Sequence, residues 1–384
     1  MIKSYTAYTD EVDDVELAIS EILEQLKPEK NCLKNTVAVV SCYHEFATSG
    51  IIAELYKKLK FPIIGTTTTV LATNQGSGNL HLAIMMITSN DVTFTAACSS
   101  SLANELEAPL SAMYQSALEG HAEKPKLILS MAPFLLHYAG DYYVDILTKI
   151  SGGVPNFGTV AIGDSVDFEN NYVIFNDKCE RDIFGVIVAS GNIKPQFFYS
   201  SLSSEKIIKE SAIITKSEGN LLKEVNGLPF CEYLETWGMI SNGKARDGLD
   251  SIPLILNYAE GSHHISRVLL IVNENGYGVC GGLMPENSTM NIGTWDKDDV
   301  VATTLHTVKS ILSNDNISAL FIYSCVGRSL VLGADMFAET DKVKEVVAGR
   351  LTYLFSYSGG EICPTGDAAN TNYFHNNTVV ACAF

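Results

Sequence analysis

Three segments of this chain repeat one order of elements, and the repeat constrains the fold more than any single motif does. Each segment opens with a short apolar strand that ends in small or polar residues, predicted at 36–42, 126–133 and 319–325. A helix follows each strand, predicted at 49–60, 141–150 and 340–349. Cys42, Pro133 and Cys325 should therefore occupy equivalent positions at the ends of the three strands.

A second apolar run follows each predicted helix and leads into glycine and hydroxyl residues, at 61–69, 154–164 and 351–361. Each segment then reaches a closing strand, predicted at 80–87, 182–190 and 377–384. Strand, helix and strand at this spacing predict parallel pairs joined by right-handed crossovers, with the closing strands as antiparallel or mixed edges. We therefore predict an α/β fold of mixed sheets with helices packed on them.

The segment from Ser203 to about Asn316 follows another pattern. The turn at 217–220 and the Asn275-Gly276 pair each predict a β-hairpin, and Pro229 suits the first turn of a helix. An acidic start predicts a further helix from Asp296 to Leu312. From the change of pattern near Leu202 we expect two domains, residues 1–202 and 203–384.

Composition narrows the classes of partner. The 384 residues carry a formal net charge of −18 and no cluster of basic residues, so nucleic acid and lipid headgroups are poor partners. The longest apolar runs are far shorter than the roughly 20 residues that span a bilayer. The first residues lack the apolar core of a secretory signal, and the nine cysteines are odd in number with no CxxC pair. We expect a cytoplasmic protein without membrane segments and with reduced, unpaired thiols.

Several motifs, mostly in the C-terminal half, resemble one known family. They are SCVGR (324–328), FSYSGGEICP (355–364), YFHNNTVV (373–380), the stretch 223–238, the hairpin at 272–290 and, in the N-terminal half, FPIIGTTTT (61–69). Together they resemble the FIST family, which has an N-terminal and a C-terminal domain. The resemblance implies a cytoplasmic sensory module that binds small ligands such as amino acids. Because the sequence ends at Phe384, inside the closing strand, we expect a stand-alone protein that signals through a separate output partner or works alone.

Arg328 and Glu361 are the first candidates for ligand binding. Arg328 should project from the carboxyl edge of a sheet, where α/β proteins bind ligands, and its guanidinium suits a carboxylate. Glu361 follows Gly359 and Gly360, whose missing side chains allow close approach, and it could take the ammonium of an amino acid. The structural alternative for Arg328 is a salt bridge to Glu339 or Glu361.

Further candidates are Cys325 and the hydroxyl-rich turns. Cys325 could be a nucleophile with His375 as its base, or a buried structural thiol. Thr66, Thr67, Asp164 and Ser165 could hydrogen-bond a polar ligand, or could simply form turns.

The glycine-rich stretches carry no cofactor signature. GYGVCGG (276–282) lies inside a predicted hairpin and is no dinucleotide fingerprint, and no stretch has a phosphate-binding lysine pattern. His263 and His264 point apart in a strand and are poorly placed to ligate one metal. We expect no cofactor and no metal. Three functions stay open: a ligand-binding sensor, a small-molecule hydrolase or transferase that uses Cys325, and a ligand-free interaction scaffold.

Overall fold

The computed structural model describes residues 1–164, 168–241, 244–245, 251–257, 264–313, 317–365 and 371–384. Ser165 and His263 lie outside the described residues. None of the helices in this part of the chain is long and apolar enough to cross a membrane.

The first repeat contains the following elements: β1 (Ile2–Thr9), α1 (Val15–Leu26), α2 (Pro28–Asn31), β2 (Asn35–Cys42), α3 (His44–Thr48), α4 (Ile51–Leu59), β3 (Ile63–Thr67), β4 (Leu71–Thr73), β5 (Ser77–Gly78) and β6 (Leu82–Ser89). The second contains β7 (Val92–Cys98), α5 (Glu107–Ala117), β8 (Leu127–Ala132), α6 (Gly140–Ser151), β9 (Asn156–Val160), β10 (Val173–Phe175), β11 (Lys178–Glu180) and β12 (Gly185–Gly191).

The third repeat starts with β13 (Gln196–Ser200) and is interrupted by an inserted segment. The insert contains β14 (Ile207–Glu218), β15 (Leu221–Val225), β16 (Leu228–Pro229), α7 (Phe230–Thr236), β17 (Ile240–Ser241), β18 (Lys244–Ala245), β19 (Pro253–Asn257), β20 (His264–Val272), β21 (Gly278–Cys280) and β22 (Thr289–Gly293). The repeat resumes with α8 (Lys297–Leu312), β23 (Leu320–Cys325), α9 (Val326–Leu332), α10 (Ala338–Val347), β24 (Tyr353–Ser358), β25 (Glu361–Pro364), β26 (Asn372–His375) and β27 (Val379–Ala383).

The predicted α/β class and the predicted strand pairs are confirmed. In each repeat the first and second predicted strands run parallel, as β2–β3, β8–β9 and β23–β24. The closing strands β6, β12 and β27 are antiparallel to the first strands. The predicted hairpins are also present, as β14–β15 and β20–β21. Helix α8 begins with Asp296 as its N-cap in a capping box, which satisfies the first backbone N–H groups.

Each repeat contributes a short hairpin that pairs with the sheet of another repeat. Hairpin β10–β11 of the second repeat extends the first sheet beside β3, and β25–β26 of the third extends the second sheet beside β9. Hairpin β4–β5 of the first repeat completes the cycle beside β24. The three sheets therefore hold one another in a closed ring.

Backbone contacts repeat around this ring. The carbonyl of Thr67 accepts from the N–H of Ile162 at 3.1 Å, and the carbonyl of Val160 accepts from the N–H of Gly359 at 3.0 Å. The Tyr357 carbonyl accepts from a side chain, the Thr68 hydroxyl, at 2.8 Å. The backbone N–H groups of the three residues match fully, because each donates to the carbonyl just before a hairpin from another repeat, those of Tyr172, Gly360 and Val70. Thr67, Val160 and Tyr357 are therefore equivalent residues of the three repeats.

This equivalence corrects one predicted alignment. Across the parallel pairs, Thr67 lies opposite Cys42, Val160 opposite Ala132, and Tyr357 opposite Ser324. Pro133 and Cys325 are thus equivalent to each other and to Tyr43, one residue beyond Cys42. The prediction was off by one residue in the first repeat because Tyr43 stays extended after the apolar run ends (φ −65°, ψ 148°).

The inner faces of the three sheets share one apolar core. It includes Met85 from the first sheet, Leu129 from the second and Phe321 from the third. Separate clusters under the helices cover the outer faces. In the first two repeats a glycine allows the second strand to lie close to the first, since a Cβ on Gly65 would sit 2.0 Å from the Val40 carbonyl oxygen, and one on Gly158 2.2 Å from that of Ser130.

The insert has a core of its own. Its strands follow the order β14-β22-β19-β20-β21-β15, and β14 also pairs with β15, so the sheet closes on itself around residues such as Phe230 and Leu256. Arg267 of β20 ties it to the second repeat, because its buried guanidinium lies 2.6 Å from Asp141 Oδ1 on α6. Asn377 ties it to the third repeat by donating to Ser266 Oγ at 3.1 Å.

Candidate functional site

Arg328 is fully buried and belongs to a dense hydrogen-bond network. It follows β23 in α9, and its Nη2 lies 2.8 Å from Glu339 Oε1 of α10, which is also fully buried. Nε donates to the Ser324 hydroxyl at 2.9 Å, and Nη2 also contacts the Val300 carbonyl at 2.9 Å. Of the two salt-bridge partners considered from the sequence, the structure shows Glu339.

Glu339 accepts further hydrogen bonds from three hydroxyl groups. Its carboxylate accepts from the hydroxyls of Tyr357 at 2.8 Å, of Ser324, and of Thr304 in α8. These contacts compensate the burial of both charges, as a buried ion pair requires. Arg328 Nη1 alone among the guanidinium nitrogens has no hydrogen-bond partner in the described residues.

Glu361 lies in a second buried environment. Its Oε2 accepts from the Thr378 hydroxyl at 2.7 Å, while Oε1 has no partner among the described residues. Burial raises the pKa of this carboxyl well above its usual value, since desolvation disfavours the charged form. Gly360 beside it serves packing, because a Cβ there would sit 2.3 Å from the Phe374 ring.

Cys325 does not have the surroundings of an activated nucleophile. Burial and the nearby Glu361 raise the pKa of its thiol well above the usual range, whereas a reactive cysteine needs a lowered pKa. His375 Nε2 lies 3.1 Å from the Cys363 carbonyl, and its ring stacks on Tyr199 with centroids 5.8 Å apart. All nine cysteines are free thiols in the structure.

The remaining candidates lie near the strand ends of the first and second repeats. Thr67 Oγ1 accepts from the backbone N–H of Tyr172 at 2.9 Å, a contact between the first and second repeats. Thr66 Oγ1 is buried without a partner in the described part of the chain. Asp164 accepts from the Tyr43 hydroxyl at 2.6 Å, and its carboxylate raises the pKa of that phenol to about 12.

A pocket of about 620 Å³ lies where the insert meets the third repeat. Three elements line it. The end of β13 and the loop after it contribute Tyr199, Ser200, Ser201, Leu202 and Ser203; the insert contributes Ile207, Ile255, His264 and Ser266; and α8 with the loop before it contributes Trp295, Asp299, Ala302, Thr303 and His306.

The two residues singled out in the sequence lie behind the wall of this pocket. The Thr303 hydroxyl accepts from Arg328 Nη2 at 3.0 Å, and the guanidinium carbon lies 5.5 Å from the Trp295 ring centroid. On the insert side, Ser266 is bound to Asn377, whose neighbour Thr378 donates to Glu361. The structure thus places Arg328 and Glu361 near the pocket but not on its surface, since both are 0% exposed.

None of the lining residues was predicted from the sequence. One signal was available, because Asp299, Thr303 and His306 recur at a spacing that puts them on one face of α8. Trp295 and Tyr199 belong to no motif.

Comparison with known proteins identifies the family. A model of the FIST N domain matches residues 36–228, and a model of the FIST C domain matches residues 229–364. The chain has no match among curated proteins. FIST domains are sensory and ligand-binding domains of signalling proteins.

Two solved structures share low similarity with the chain. The cyanuric acid hydrolase from A. caulinodans is 10% identical with a TM-score of 0.36, and the match covers 100% of this chain and 99% of that one. PurLQS from Thermotoga maritima is 9% identical with a TM-score of 0.21, over 100% of this chain and 72% of that one. Both TM-scores are too low to support an argument about function. The two family models together match residues 36–364, and the chain therefore belongs to the FIST family, with both its N and its C domain.

Proposed function

We propose that this protein is a cytoplasmic sensor that binds a small polar metabolite in the pocket between the insert and the third repeat. One observation carries the proposal: a cavity of about 620 Å³, lined by hydroxyl and imidazole groups, lies at the junction of two separately packed parts. Ligand sites typically measure roughly 300–1,000 Å³ and combine apolar walls with a few convergent polar groups.

The buried networks support this role by holding the pocket wall in place. Arg328 fixes Thr303 and covers one face of Trp295, so both side chains present a defined geometry to a ligand. In this proposal Arg328 and Glu361 position the wall instead of touching the ligand. An amino acid is one candidate ligand, with His306 or His264 near its carboxylate.

The position of the pocket also suggests how binding reaches an output partner. Ser266 lines the pocket, and the next residue of β20, Arg267, points the other way and pairs with Asp141 on the second repeat. A ligand that fixes β20 against α8 would therefore also act on the contact with α6. A separate signalling protein would detect the changed orientation of the insert.

A thermal-shift screen of the full chain against polar metabolites, with calorimetric titration of the hits, tests the proposal. The variant Ala302→Trp fills the pocket and should abolish binding. His306→Ala removes one polar contact and should weaken binding up to about tenfold, since a hydrogen bond contributes roughly 0.5–1.5 kcal/mol.

His137→Ala is the matched control, because this exposed histidine lines a different groove. The proposal is wrong if no metabolite binds, or if the hits bind the wild type and Ala302→Trp equally well.

A further inference from the structure

We infer that the ligand of this pocket is a planar nitrogen heterocycle whose ring stacks on Trp295. The inference rests on the proposed function and narrows its ligand to one chemical class. It comes from the way two aromatic side chains of the pocket are supported from behind.

Trp295 is fixed in one orientation. It stands between β22 and the N-cap of α8, and its indole N–H donates to the Ser251 carbonyl at 3.0 Å. The Arg328 guanidinium carbon lies over its ring, 5.5 Å from the centroid, within the range of a cation–π contact. Because Arg328 covers one ring face and the partly exposed indole still lines the pocket, the remaining surface of the ring is what a ligand meets.

Tyr199 provides a second aromatic surface in the same pocket. Its ring stacks on His375, with centroids 5.8 Å apart and planes inclined by 25°, and the residue is 38% exposed. Each aromatic side chain is thus braced by a buried residue of the third repeat. Rigid, partly exposed rings suit stacking, because little side-chain freedom is lost when a flat ligand binds.

The charge of the lining favours a neutral ring over an acid. Its described residues include no lysine or arginine, and its carboxylate, Asp299, lies 2.7 Å from Lys206 Nζ. A carboxylate or phosphate ligand would therefore meet no unpaired cation among the described lining residues. Hydroxyls such as that of Ser201 and the imidazole of His306 can both donate to and accept from the N–H and C=O groups on the edge of a heterocycle.

Tryptophan fluorescence tests the inference directly. The chain has two tryptophans, so a Trp237→Phe background leaves Trp295 as the reporter. We expect uracil or hypoxanthine to quench its emission saturably. Dihydrouracil, which keeps the polar edge of uracil but has a puckered ring, should bind at least tenfold more weakly than uracil. Trp295→Leu should weaken heterocycle binding tenfold or more in calorimetry, and Trp295→Phe less.

The outcomes separate the two proposals. If acyclic metabolites bind in a way that Ala302→Trp abolishes while the heterocycles do not bind, the ring inference is overturned and the sensor proposal stands. Equal affinity for uracil and dihydrouracil also overturns it. If nothing binds, both proposals fall. Should Trp295→Leu not fold, the quenching titration and Trp295→Phe still decide the question.

Discussion

Removing one charge of the Arg328–Glu339 pair should destabilise the protein strongly. In Arg328→Met the buried carboxylate of Glu339 keeps only hydroxyl donors, including those of Ser324 and Tyr357. Breaking a buried ion pair by removing one partner costs about 3–5 kcal/mol, because the other charge is left uncompensated. We expect a loss of this size in the free energy of unfolding.

The double variant Arg328→Met/Glu339→Gln should cost less than the sum of the two single changes by about 2 kcal/mol or more, since no buried charge remains. Urea unfolding at pH 7, followed by circular dichroism, gives these values. A matched control is the exposed pair Lys149–Glu107, whose removal should cost far less, because solvent screens exposed charges.

Two results would refute this reasoning. If Arg328→Met lowered the free energy of unfolding by less than about 1 kcal/mol, the guanidinium would not stabilise the buried Glu339 carboxylate as argued. A folded double variant that had lost ligand affinity 10- to 100-fold, while Thr303 and Trp295 kept their places, would show that Arg328 binds the ligand directly, as the sequence first suggested.

Three further predictions concern other buried groups. Glu361→Gln should be more stable than the wild type at neutral pH. Because burial raises the pKa of Glu361, the stabilisation by its protonated carboxyl is complete below the pKa that the group has in the unfolded chain and is lost as pH rises. In unfolding measurements the difference in stability between variant and wild type should therefore shrink toward about pH 4. In mass-spectrometric alkylation of the native protein, the buried thiol of Cys325 should react after the partly exposed Cys231; rapid labelling of Cys325 would revive the nucleophile hypothesis. Asp141→Asn should loosen the contact between insert and α6 and speed amide hydrogen exchange in β20, whereas unchanged exchange would contradict a clamping role.

The sequence could predict what depends on local pattern. Apolar runs near 36–42 and 319–325 define the strands, and the acidic residues at 296, 298 and 299 define the start of α8. The exchanged hairpins could not be predicted, because strands of two to four residues such as β4 gain their partners from a distant repeat: Leu71 pairs with Ser356. Pairing at that distance leaves no periodic signal.

The residues that line the pocket were not predicted, for a related reason. Arg328 and Glu361 were identified because each follows an apolar strand onto small residues, and that is where they lie. Whether a guanidinium faces solvent or a carboxylate depends on which helix packs over it, and Glu339 reaches it from α10. The role proposed for Trp295 depends on the packing of the insert against α8, so no local motif contains it.

The pocket lies where the internal symmetry is broken, and this explains its position. Each repeat has one more strand before those predicted from the sequence, namely β1, β7 and β13, and we call it the opening strand. In the first two repeats a helix that covers the sheet follows this strand without an insert, as α1 follows β1 and α5 follows β7. In the third, the insert separates β13 from α8, yet α8 still packs on β13 as its counterparts do. The opening strand and helix of the third repeat therefore keep their places in the core while their connecting ends face the insert. Tyr199 and Trp295 stand at those two ends, so a ligand between them contacts the rigid ring of sheets and the insert at once, and its binding energy depends on the position of the insert.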